Sequence, residues 1–340
     1  MKVRDEAIYP TEGGGRPTLK TIAYMTGLGV TTVSRALHDA PDIGQATKER
    51  VRLVAQQIGY RPNRAGVRLR TGKTNVISLI LPVETEGLGL TSHLVYGISE
   101  YLVGSPYHLI VTPYSLRSDP LDPVRYIVET ASADGIIVSR TEPQDPRVRY
   151  LHEHGFPFAT HGRTEMGIEH PYFDFDNGRY GEAAAERLVA RGRRRLALVP
   201  PPAHLTYYRH MNAGFQRTIE RHDLDDVPIR SVSTDSSYEA IRDEVGRLVA
   251  SARRPDGFVC GSAAAAIAVV TAAEDQGLVI GRDFDVAVKE SFDLMQKFRR
   301  PIEVVHEDFR RAGMGLGEIV LRSIDGAPAC ELQALDVPEG

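Results

Sequence analysis

Near the start of the chain, a short stretch carries side chains suited to reading double-stranded DNA. Val30, Val33, Ala36 and Leu37 recur at helical spacing, so one short helix from about Val30 to Leu37 is predicted. Its first turn offers Val30 and Thr31, with Ser34 and Arg35 one turn later on the same side. A helix this short, polar on one side, fits the major groove, whose width admits an α-helix. There Val30 offers only apolar contact, for example to a thymine methyl, and Thr31 a hydroxyl with weak base preference. Val30 also lies near the stripe of Val33 and Leu37, which leaves a core position as its alternative. These two side chains do not spell out a base sequence.

Charge points the same way. The net charge of -4 hides an uneven distribution: residues 16–73 hold 11 basic and three acidic residues, a net of +8, and the remainder carries -12. A small basic module on a larger acidic body is the electrostatic footprint of nucleic-acid binding, although a solvated charged surface gives the same count.

Other chemistries find little support. The only cysteines are Cys260 and Cys330, without a CxxC pair or a spaced Cys/His set, so neither a metal site nor a disulfide framework is expected. No GxSxG, P-loop, HExxH, or GxGxxG after a first strand occurs, and the reading assigns no catalytic residue and no cofactor. The opening residues lack the apolar core of a secretory signal, and no run of about 18 apolar residues exists to span a membrane. A cytoplasmic protein is expected.

Three helices must position the candidate DNA-reading residues. The first runs through Leu19, Ile22, Ala23 and Thr26, and Gly27-Leu28-Gly29 breaks it. The second is the helix from Val30, and the third carries Val51, Val54, Ala55 and Ile58 before Gly59. From residue 76 onward the text changes. Short apolar runs at 76–81, 107–112, 135–139, 156–160, 196–199, 257–260, 284–288 and 302–305 alternate with helix-length segments. That alternation predicts parallel sheets of βαβ units, arranged as two α/β subdomains with a ligand crevice between them.

The text Thr18-Leu-Lys-Thr-Ile-Ala23, then Thr32-Val-Ser-Arg-Ala-Leu37, then Gly59-Tyr-Arg-Pro-Asn-Arg64 resembles the headpiece of the lac repressor/galactose repressor family. Looser matches continue at Phe173-Asp-Phe-Asp-Asn-Gly178, Ala213-Gly-Phe215 and Glu307-Asp-Phe-Arg310. The resemblance implies a helix-turn-helix headpiece and hinge helix followed by a periplasmic-binding-protein-like α/β core. Residues 1–15 end in Gly13-Gly14-Gly15 with little apolar periodicity and are expected to form a disordered tail, and the divisions expected after it are a headpiece at 16–60, a hinge at 61–73 and an effector-binding and dimerisation core at 74–340. Within the core, the N-subdomain takes about 74–174 plus 306–331, and the C-subdomain about 175–305 plus 332–340.

The resemblance implies DNA contacts at Thr18, Leu19, Val30, Thr31, Thr32, Ser34, Arg35, Asn63, Arg64, Arg68 and Leu69. Leu69 matches a leucine that the family wedges into the minor groove, and the arginines around it suit phosphates. A flexible basic linker is the other reading of this segment. Gly29 and Gly44 stand at helix starts where serine is usual, an exchange that costs only a few tenths of a kcal/mol.

The effector pocket implied by the resemblance has been rebuilt here. Met211 stands where an arginine is common, and the polar candidates are His161, Arg163, Tyr207, Tyr208, Ser262, Lys289 and Glu290. Aromatic faces with a carboxylate and donors suit a polyol, whereas two cations could recruit a sugar acid or phosphate. The expected partners are palindromic operator DNA, such an effector and a second copy of the chain. A tetramer is not expected, because no leucine-heptad tail follows residues 332–337. A sugar receptor without a DNA role and an enzyme on the same scaffold are the competing classes, and neither explains residues 18–73.

Overall fold

The computed structural model describes residues 17–61, 68, 72–84, 90–291, 294–297 and 301–338. They fall into two compact units, divided after Thr74.

The smaller unit holds α1 (Leu19–Thr26), α2 (Val30–Leu37) and α3 (Gln45–Gln57). Thr18 and Thr21 cap α1 reciprocally, each side chain accepting from the other's backbone N–H, and Gly27 ends the helix in the left-handed region at φ 66°. Gly29 and Gly44 precede α2 and α3 without a side-chain cap. Ile22, Val33, Ala36 and Val51 are buried together and hold the three helices around one small core.

The larger unit contains two parallel sheets. The first lobe runs β1 (Val76–Pro82), α4 (Leu90–Tyr101), β2 (His108–Tyr114), α5 (Asp122–Thr130), β3 (Gly135–Ser139), α6 (Pro146–Glu153), β4 (Phe158–His161) and β5 (Tyr172–Phe175). The second lobe follows with α7 (Asn177–Ala190), β6 (Arg195–Val199), α8 (Thr206–His222), β7 (Asp225–Asp226), α9 (Tyr238–Val249), β8 (Gly257–Cys260), α10 (Ala263–Asp275), β9 (Asp285–Glu290) and β10 (Glu303–His306). The chain then returns to the first lobe through α11 (Phe309–Ile324) and β11 (Gln333–Asp336). The strand orders are β11-β5-β4-β3-β1-β2 and β10-β9-β8-β6-β7. β1, β3 and β8 are buried along their whole length, as strands covered by helices on both faces must be.

One boundary differs from the sequence reading. Residues 332–340 were expected with the second lobe, but Gln333–Asp336 pairs with β5 in the first sheet, from Gln333 opposite Tyr172 to Asp336 opposite Phe175. Tyr172 N–H also donates to the carbonyl of Leu332, so the register begins before the strand does. β5 offers the first sheet's open edge to the returning chain, and edge backbone groups need partners.

Close helix packing sets the second lobe's geometry. A Cβ on Gly214 of α8 would sit 1.9 Å from the carbonyl oxygen of Gly178, and one on Gly181 of α7 would sit 2.2 Å from that of Met211. The two helices touch backbone to backbone, which fixes the start of α8 relative to the sheet.

Candidate functional site

On the small unit, α2 presents a polar face. Val30 is 41% exposed while Val33 is fully buried, so the core alternative for Val30 does not hold. Thr31 and Arg35 are exposed and Thr32 and Ser34 half-buried. Thr18 serves as the cap of α1, and Leu19 packs on the headpiece core. Arg35 forms an exposed ion pair with Asp42 at 2.5 Å. Such surface pairs are worth about 0–1 kcal/mol, so Arg35 can exchange Asp42 for a phosphate at little cost. Asn63, Arg64 and Leu69 lie outside the described residues, and Arg68 is the one described residue of that stretch. Arg35→Ala is expected to weaken binding to specific and random DNA alike and to reduce the salt slope of log K by about one unit. Anisotropy titrations at several salt concentrations check this; an unchanged slope with altered sequence preference would make Arg35 a base reader instead.

In the larger unit, a cavity of about 470 Å³ opens between the two lobes. Most of its polar lining comes from the C-terminal ends of strands and the helix N-termini that follow them, where open α/β sheets bind ligands. From the first lobe come Glu84, Ser139, Arg140, His161 and Asp174, and from the returning chain Glu307 and Phe309. From the second lobe come Asn177, Tyr207, Thr234, Asp235, Ser236, Ser262, Lys289 and Glu290.

Of the seven residues proposed from sequence, His161, Tyr207, Ser262, Lys289 and Glu290 meet in this cavity, and Arg163 and Tyr208 do not line it. His161 ends β4 and lies edge-on to the Phe309 ring at 5.3 Å. Burial holds its imidazole below the ordinary histidine value, so it is a neutral ring at pH 7. Tyr207 sits in the first turn of α8, its hydroxyl pushed up to about 12 by burial. Ser262 caps α10 by accepting from Ala265 N–H, leaving its own hydroxyl hydrogen to donate. Met211 is a fully buried core residue, and Arg209 pairs with Glu165 at 2.7 Å, so neither lines the cavity.

The cations are already committed. Lys289 pairs with Glu307 at 2.7 Å, donates to Asn177 Oδ1 at 3.0 Å and lies 5.3 Å from the centre of the Phe175 ring. Arg163 Nε donates to Asp174 at 2.6 Å, and Arg140 to Asp235 at 2.6 Å. Three buried polar atoms of the lining, Ser139 Oγ, Glu290 Oε2 and Glu307 Oε2, make no hydrogen bond among the described residues; Glu307 Oε2 has the Lys289 ammonium at 2.7 Å, which leaves Ser139 Oγ and Glu290 Oε2 without a polar partner there. Unpaired buried polar atoms are costly and call for a partner. Glu290, 2% exposed, spends only its Oε1, which accepts from Met295 N–H at 2.8 Å.

Arg140 and Asp235 carry no signal in the sequence, and Asp174, Asn177 and Glu307, which lie in the family-like text, are not among the cavity residues expected from it. Asp174 is raised to about 6, because burial raises its carboxyl more than the Arg163 guanidinium lowers it. The unfolded chain gives up this proton near its ordinary value of 3.8, so between about 4 and 6 the folded state holds the extra proton. Stability contributed by this group is therefore present below that window and lost as pH rises through it. The stability of the wild type relative to Asp174→Asn is expected to fall from pH 4 to pH 7 in denaturant titrations, about 4 marking the unfolded carboxylate. A pH-independent difference would contradict the raised value.

The comparisons with known proteins agree with both units. Residues 18–63 match the family of bacterial regulatory proteins, lacI family, and residues 185–339 match a periplasmic binding protein-like domain. The chain is 30% identical over 320 residues to the HTH-type transcriptional regulator AglR of Rhizobium meliloti, covering 90% of this chain and 87% of that one. It is 35% identical over 218 residues to the regulator RafR of Escherichia coli, covering 64% and 65% of the two chains. The lac repressor dimer bound to operator and the anti-inducer ONPF matches with a TM-score of 0.83 at 19% identity, over 95% of this chain and 97% of that one. The complex of the transcriptional regulator CelR with cellobiose matches at 0.68 and 20% identity, over 95% and 98%. These two likenesses bear on the fold alone. No helix among the described residues is long and apolar enough to cross a membrane. A relative 30% identical along most of both chains, joined to a matching headpiece, establishes that this chain belongs to the lacI family of bacterial transcriptional regulators.

Proposed function

We propose that this regulator binds a palindromic operator as a homodimer, through α2 and the segment carrying Leu69, and that a neutral, sugar-like molecule in the interlobe cavity sets its affinity. The observation that carries the effector half is the pairing in the cavity. Lys289 and Arg140, the cations of the lining, each face a carboxylate, while the Glu290 acceptor and the Ser139 hydroxyl remain unpartnered among the described residues. A neutral polyol supplies donors and acceptors to such groups without bringing a second negative charge beside Asp174, Asp235, Glu290 and Glu307. Sugar acids and sugar phosphates would have to break an existing ion pair to find a cation, which disfavours the anionic alternative. The cellobiose bound in the CelR complex and the operator bound by the lac repressor accord with the two halves of this reading.

A thermal-shift panel tests it. Ligands that bind only the native state raise its melting temperature, so one or more neutral mono- or disaccharides should stabilise the protein and their acid and phosphate derivatives should not. Stabilisation by the anionic derivatives alone, or by none of the panel, would overturn the effector assignment.

A further inference from the structure

We propose that the Arg140–Asp235 ion pair is a latch that holds the two lobes closed over the cavity. Arg140 follows β3 in the first lobe, and Asp235 lies between β7 and α9 in the second. Both line the cavity. They meet in a two-pronged contact, Nη2 to Oδ2 at 2.6 Å and Nη1 to Oδ1 at 3.3 Å, with side chains 14% and 25% exposed. A bidentate, mostly sheltered pair is stronger and more directional than an open surface pair.

Both ends of the latch are tied to their own lobes by hydrogen bonds. Arg140 adopts φ 57°, a left-handed conformation uncommon for a residue with a side chain, and such strain persists where the surroundings over-determine it. Here the Arg140 carbonyl accepts from Arg147 Nη2 at 3.0 Å, and Arg147 is itself buried against Asp145 at 2.7 Å. On the other side, Thr234 N–H donates to the carbonyl of Pro200 at 2.8 Å and Asp235 N–H to Ser233 Oγ at 3.3 Å. Next to the latch, Thr206 N–H of the second lobe donates to the carbonyl of Thr141 in the first at 2.9 Å. That hydrogen bond reports whether the seam is shut.

A ligand in the cavity meets the latch directly, so its hydroxyls compete for the same guanidinium and carboxylate. This regulatory consequence rests on the effector reading above; the latch itself does not.

Hydrogen exchange on the ligand-free full-length protein tests it. Arg140→Ala and Asp235→Ala should each accelerate exchange at the Thr206 amide about ten-fold or more, while amides of β8 keep their wild-type rates and show the fold intact. The charge-swapped protein carrying both Arg140→Asp and Asp235→Arg should exchange more slowly at Thr206 than either single variant. Raising salt should accelerate the wild type at this amide and leave both alanine variants unchanged, because screening weakens only a pair that exists. Unchanged Thr206 exchange in the alanine variants, or a wild type indifferent to salt, would overturn the latch. Failure of the sugar panel with these results intact would instead remove the effector reading alone.

Discussion

Glu290→Gln is expected to lower effector affinity by roughly 1.5–3 kcal/mol, about ten- to a hundred-fold, while leaving ligand-free DNA affinity almost unmoved. The substitution is selective because Glu290 divides its work between its two oxygens. Oε1 accepts from Met295 N–H, and glutamine retains a carbonyl oxygen for that bond. Oε2 has no partner among the described residues, and the amide that replaces it can donate but not accept. An effector hydroxyl directed at this position would lose a charge-assisted bond. Lys289 and Arg163 do not depend on Glu290, since they pair with Glu307 and Asp174. Calorimetry with the stabilising sugar from the panel measures the loss. A wild-type affinity accompanied by a melting temperature several degrees lower would make Glu290 a purely structural anchor for the segment after β9.

Gly214→Ala is expected to have the largest effect on stability, at or beyond the upper end of the roughly 1–3 kcal/mol that overpacking costs. The added carbon would lie 1.9 Å from the carbonyl oxygen of Gly178 and 3.0 Å from Glu182 N, all backbone atoms that no rotamer change can move. Helices α7 and α8 would have to separate, displacing Tyr207 and Thr206 at the start of α8. Gly246→Ala in α9 is the matching control. Its new carbon would meet nothing within 4 Å, and alanine is favoured over glycine in a helix by about 1 kcal/mol. Denaturant midpoints should fall for the first variant and hold or rise for the second. Equal midpoints for Gly214→Ala and wild type would contradict the backbone contact between the helices.

The architecture was legible where burial and periodicity coincide. The apolar run at 76–81 became β1, buried throughout, and the stripe of Val33 and Ala36 became the inner face of α2. α3 begins at Gln45, ahead of the apolar stripe that starts at Val51, because its first turn, Gln45-Ala-Thr-Lys48, holds no large apolar side chain and its buried residue there is a lysine. β5 was hidden for a different reason. Tyr172–Phe175 is four residues with a carboxylate among them, and Asp174 is buried beside its ion-pair partner Arg163. That pairing also explains why Arg163, read as a cavity residue, instead turns to Asp174. Arg140 and Asp235 stand 95 positions apart on different lobes, and nothing in the local text marks them as partners. Residues that gain their role from a neighbour distant in sequence were the ones missed, whereas strand-end positions such as Glu290 and Lys289 could be found from the strand before them.

If the ligand cavity and the DNA-reading face regulate each other, a reciprocal titration must show the coupling from both sides. The full-length protein would be titrated onto an operator duplex, obtained by selection from random sequence, with and without the stabilising sugar. The sugar would then be titrated onto free and operator-bound protein. Coupling between sites must be equal in both directions and is typically about 5- to 150-fold. The predicted result is a change in operator affinity within that range, with the sugar's affinity changed by the same factor on operator-bound protein. A sugar that binds tightly yet leaves operator affinity the same would show that the cavity does not regulate DNA binding.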